Sequence, residues 1–156
     1  MRKMLNTALG ILCSILLSIM VLIVLWQVFA RSVLNNPNTA TEELVRFGLV
    51  WLAMLASAYV VGERTHLAVT VLSEKLRGKA KTRLDIIVQL LFILFAVIIM
   101  IYGGFNAVGV TMDQISPSLS IPMGYVYLAV PVSGVLIVCY SVLNLLDDMK
   151  KSKEAV

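Results

Sequence analysis

Four charged residues stand close together in the first third of the sequence: Arg31, Glu42, Glu43 and Arg46. Acids three and four residues ahead of an arginine meet it on a helix surface, so either Glu42 or Glu43 can pair with Arg46. Thr41 just before them predicts a helix N-cap, with both acids in the first turn. There they would satisfy free N–H groups and oppose the positive end of the helix dipole. Such a cluster can do two kinds of work. It can cap a helix and seal an interface with an ion pair, or it can lock or dock a partner. The spacing is compatible with both.

Catalysis has little to build on. His66 is the single histidine, so a haem held by paired axial histidines is excluded. Cys13 and Cys139 stand alone inside apolar runs and read as small buried hydrophobes, not as a reactive pair. No glycine-rich phosphate loop or metal-ligand cluster occurs in the sequence. No acid or base falls near the centre of an apolar segment, because Glu63, Asp85 and Asp147 all lie at segment ends. A proton-coupled carrier working alone would need one there. The expectation is a protein with no enzymatic activity and no cofactor.

The elements that carry these residues are apolar helices. Of the 156 residues, 60% are hydrophobic and 14% charged, against about 25% charged in a soluble domain. That composition marks an integral membrane protein. Four apolar segments, 7–30, 44–61, 84–112 and 121–146, each suit a transmembrane helix of about 20 residues. They predict one all-α membrane domain over residues 1–156. The first run exceeds the apolar core of a signal peptide, about 7–15 residues, and is read as a retained span.

Small residues at helical spacing predict close helix contacts. Gly10, Ser14 and Ser18 repeat every four residues, and Gly103 with Ala107 offers a second such site. Trp26, Trp51, Tyr59 and Pro131 are candidate subunit-packing or interface anchors. Pro122 fits the first turn of the fourth span. Pro131 inside that span predicts a kink, with Ser133 or a partner helix taking up the freed carbonyl. Gln89 and Asn106 are read as hydrogen-bonding between helices. With Asn144 they are also the polar groups that a self-assembled channel would have to place along one axis.

The net charge is +4. No basic stripe is interleaved with aromatics, so nucleic-acid binding is not expected. Between the second and third spans, Leu67, Val71, Leu72 and Leu76 predict one face of a short interfacial helix. Lys75, Arg77, Lys79, Lys81 and Arg83 would then face lipid phosphates on the cytoplasmic side. With four spans, eleven basic residues fall on the side of the two termini and two, Arg31 and Arg46, on the other. The positive-inside rule then places both termini in the cytoplasm and the Arg31–Arg46 stretch outside.

Three stretches carry a family resemblance. The first is Trp26-Gln27-Val28-Phe29-Ala30-Arg31, followed by Thr41-Glu42-Glu43-Leu44-Val45-Arg46 and Val50-Trp51-Leu52. The second is His66-Leu67-Ala68-Val69. The third is Ser116-Pro117-Ser118-Leu119-Ser120-Ile121-Pro122-Met123, running into Val126-Tyr127-Leu128-Ala129-Val130-Pro131. The chain resembles the small membrane subunit (DctQ-like) of tripartite ATP-independent periplasmic (TRAP) transporters.

The resemblance implies a bacterial inner-membrane location and a non-catalytic scaffolding role. The partners it implies are a large sodium-coupled elevator subunit (M) and a periplasmic binding protein (P). The cargo would be an organic acid, either sialic acid or a C4-dicarboxylate, with the overall likeness leaning to the sialic-acid subgroup. It also makes Arg31, Glu42, Glu43 and Arg46 candidates for a structural lock or docking point. Two other readings compete, a self-assembling small transporter or channel and a general membrane assembly factor.

Overall fold

A computed structural model describes residues 2–34, 38–63 and 79–154 of the chain, and side chains over 4–34, 38–63 and 84–147. In chain order the helices are α1 (Arg2–Ser32), α2 (Thr39–Glu63), α3 (Lys79–Phe95), a π-helical segment (Ala96–Gly103), α4 (Gly104–Thr111), α5 (Gly124–Tyr127) and α6 (Ala129–Glu154). Four stretches are long and apolar enough to cross a membrane: Met4–Ser32, Thr39–Glu63, Leu84–Thr111 and Gly124–Asp147. These are the four predicted spans with modest shifts at their ends. Among the described residues the sole β pairing is an isolated antiparallel bridge between Ile115 and Pro122. The predicted interfacial helix, with His66, Lys75 and Arg77, lies outside the described residues. Lys79, Lys81 and Arg83 fall in the first turns of α3, but their side chains also lie outside them.

The spans stand in a row. α1 packs on α2, α2 on α6, and α6 on α3 and the π segment. One apolar cluster runs through the row: Leu9 from α1, Leu55, Ala58 and Val61 from α2, Ala96 and Met100 from the π segment, and Ile137 and Tyr140 from α6. On α2, the buried residues Glu43, Phe47, Leu55, Ala58 and Gly62 follow helical spacing, so one stripe faces the row. Two close approaches fix the contacts of α6. A Cβ on Gly62 would stand 2.6 Å from the Tyr140 ring, and one on Gly104 would stand 2.9 Å from Pro131 Cδ. Only glycine lets these surfaces meet.

Several local expectations change. α2 begins two residues before Thr41. Asn38 is the cap, since its Oδ1 accepts from Ala40 N at 3.0 Å, and Thr41 Oγ1 instead donates to the Asn38 carbonyl at 2.7 Å. Glu42 therefore closes the first turn and Glu43 starts the second, away from the free N–H groups. Pro122 sits in the β bridge, ahead of the fourth span's first helical residue, Gly124. The break expected of Pro131 is present and falls one turn earlier, between Tyr127 and Ala129. A proline ring clashes with the carbonyl four residues back, which is that of Tyr127. Ser133 Oγ bonds the Val130 carbonyl at 2.9 Å and leaves the Tyr127 carbonyl alone.

The third span holds eight π-helical residues that periodicity did not announce. Gly104, just past it, makes the close contact that Gly103 was expected to make; a Cβ on Gly103 would meet nothing nearer than 3.7 Å. Cys13 is half-buried, and Cys139 is exposed on α6, not buried as its apolar surroundings in sequence suggested.

Candidate functional site

Among the described residues, Glu43 is the one acid or base that the fold takes inside. Its side chain is 9% exposed. A carboxylate moved away from water needs hydrogen-bond donors to offset its lost hydration. The donors come from the far side of the sequence. Ser116 Oγ donates to Glu43 Oε2, as do the backbone N–H groups of Ser118 (3.1 Å) and Leu119 (3.0 Å). Three donors thus converge on one carboxylate oxygen.

The loop after the third span is built to present them. Pro117 fixes the backbone angle at the second position of a turn. Ser116 Oγ accepts from Leu119 N at 3.3 Å, which holds the turn closed. Successive N–H groups then point one way and form an anion-binding nest. The loop's own ladder braces it: Ser116 N donates to Ile121 O at 2.9 Å, and Met123 N to Gln114 O at 2.8 Å. Ser120 takes the left-handed conformation, φ 54°, to bring the chain back. Ser116 itself is 2% exposed. Two turns along α2 from Glu43, Trp51 adds a second tie to the same end. Its Nε1 donates to the Tyr125 carbonyl of α5 at 3.3 Å.

The four clustered charges therefore part company. Glu43 hydrogen-bonds the loop, and Arg46 acts on it only as a nearby charge. Arg31, Glu42 and Arg46 are exposed, and no ion pair joins them among the described residues. The predicted Glu–Arg pairing on the helix surface is not formed, because three convergent donors outbid one exposed guanidinium in a water-accessible setting.

The aromatic anchors divide too. Trp51 is half-buried in the row, while Trp26 is 56% exposed and meets Phe29 at a tilt of 34°, with ring centroids 6.0 Å apart. Tyr59 lies over Gly10, and Pro131 is buried against Gly104.

Of Gln89, Asn106 and Asn144, Asn144 makes an interhelical bond, from its Nδ2 to Val61 O at 3.0 Å. Gln89 is buried on α3 with its Oε1 unbonded, and Asn106 is exposed on α4. Ser14 and Ser18 are exposed as well, each hydroxyl bonding back to its own helix at 2.8 Å. The three amides do not converge on one path. The site residues that sequence reasoning missed are Ser116, Ser118 and Leu119 as hydrogen-bond partners of Glu43. The Ser-Pro-Ser turn was visible, and its target was not.

Comparison with known proteins places this architecture. Residues 20–151 match the family model described as tripartite ATP-independent periplasmic transporters, DctQ component. A candidate TRAP transporter small permease protein of Haemophilus influenzae is 29% identical over 144 residues, covering 92% of this chain and 89% of that relative. A second one from the same organism is 25% identical, covering 97% of this chain and 92% of its own length. The sialic acid TRAP transporter small permease protein SiaQ of Vibrio cholerae is 24% identical over 150 residues, covering 96% and 86%. The chain belongs to the DctQ-component family as a TRAP transporter small permease, a multi-pass protein of the bacterial inner membrane that serves transport and is not an enzyme.

Proposed function

We propose that this chain scaffolds the large membrane subunit of a TRAP transporter, and that the large subunit itself carries substrate and sodium. The observation that carries the reading is the use of Glu43. Its carboxylate oxygen is committed to Ser116, Ser118 and Leu119 of the same chain, where it ties α2 to the loop after the third span. An acid so engaged serves structure, and an ion-coupled carrier would instead keep ligands open at membrane depth. Exposed apolar side chains such as Leu22, Leu25, Ile98 and Phe105 leave broad surfaces on both edge spans for lipid or a partner subunit.

In the same reading both termini are cytoplasmic, from the basic-residue asymmetry of eleven to two. The Glu43 clamp then faces the periplasm, with exposed Arg31, Glu42 and Arg46 beside it for docking the periplasmic binding protein. The cargo is an organic acid. Sialic acid is favoured over a C4-dicarboxylate by the likeness to the Vibrio cholerae relative.

The test is reconstitution. Large subunit in proteoliposomes, with binding protein and the higher sodium concentration outside, should take up substrate only when this chain is present. Full-rate uptake without it overturns the scaffold reading. Uptake by this chain alone would favour a self-assembled carrier.

A further inference from the structure

We propose that the groove between the start of α1 and the end of α2 holds a phospholipid whose headgroup carries a primary ammonium, the chemistry of phosphatidylethanolamine. The groove has a volume of about 560 Å³, and its walls include Asn6, Gly10, Ile11, Ile15, Tyr59 and Glu63. It is amphipathic along its length. Asn6 and Glu63 form the end nearest the helix termini, where headgroups lie, and Ile11 and Ile15 continue it towards the hydrocarbon. From Asn6 to Ile15 the helix rises about 14 Å, room for the upper part of an acyl chain.

Among the described residues, Asn6 is the one side-chain donor that reaches Glu63. Glu63 Oε1 accepts from Asn6 Nδ2 at 2.5 Å. A carboxylate offers about four lone-pair sites, so most remain open. Asn6 Oδ1 is enclosed and accepts no hydrogen bond. No ion pair to Glu63 is present among the described residues. A fitting ligand must therefore be cationic and carry several N–H groups. A primary ammonium brings three. Choline brings none and is held by aromatic cages, whereas Tyr59 is the lone aromatic among the described residues of this groove. A phosphoglycerol headgroup would add negative charge beside Glu63. The groove suits this headgroup chemistry whichever side of the membrane its polar end faces.

The test uses the full chain in complex with its large subunit. The complex is exchanged into vesicles of equal phosphatidylethanolamine, phosphatidylcholine and phosphatidylglycerol, and lipid retained on the chain is read by native mass spectrometry. The expected result is retention of phosphatidylethanolamine over the other two by about fivefold, a difference of about 1 kcal/mol. Glu63→Gln should erase the preference while leaving complex yield intact. Gly10→Leu should lower bound lipid of every kind by filling the groove. Equal retention of the three lipids, a preference for phosphatidylglycerol, or an undiminished preference in Glu63→Gln overturns the proposal.

Discussion

The most apolar span of this protein, that of α1, is also the least enclosed. Within the chain, 11% of its apolar stretch is buried, against 44% for the less apolar fourth span. In a soluble protein the order would be reversed. Here the surrounding solvent is lipid, as apolar as leucine, so an all-hydrocarbon helix gains nothing by retreating inside. What must go inside is what lipid cannot satisfy. The fourth span accordingly carries the buried Ser133, Ser141 and Asn144, and the stripe of α2 facing it carries Glu43. Polarity and close glycine contacts hold the interior, and α1 is left with a surface for lipid or a neighbour.

That contrast can be broken by substitution. Gly62→Leu should have the largest effect, because its side chain would enter the Tyr140 ring. Overpacking of this kind costs about 1–3 kcal/mol, and folded yield in detergent should drop sharply. Ser116→Ala should cost less. It removes one of three donors to Glu43 and the Oγ that closes the turn, so protease cleavage in the 113–123 loop should accelerate while the spans stay folded. Asn144→Leu removes one interhelical bond, for which membrane proteins average about 0.6 kcal/mol. A small, reproducible fall in melting temperature is the expected reading. Leu22→Ala on the exposed face of α1 should leave the isolated chain within about 0.5 kcal/mol of its normal stability. If co-purification with the large subunit falls in that variant, α1 is a subunit interface. If it does not, the face meets lipid.

Much of this organisation could be read from residue order. Span number, approximate limits and the membrane class follow from apolar runs, which are local and long. The glycine contacts were foreseen in kind and misplaced by a residue, Gly104 for Gly103, because helix phase drifts through a π-helical stretch that no residue type marks. The helix start was missed for a similar reason: Asn38 and Thr41 are both good caps, and the chain used the earlier one. Glu43 was singled out, and its hydrogen-bond partners were not. Arg46 lies three residues away and is visible to helical spacing. Ser116, Ser118 and Leu119 lie 73 to 76 residues away, and only the packed row brings them together.

The central claim is that Glu43 is a structural clamp. It is tested most directly by measuring thermal stability, complex yield and substrate uptake together for Glu43→Gln in the reconstituted transporter. The amide is the same size but has a weaker acceptor and an added donor facing three N–H and O–H groups. The account predicts lower stability and less assembled complex, with uptake per assembled complex unchanged. Uptake lost from fully stable, fully assembled complex would contradict it and make Glu43 a contact in transport itself.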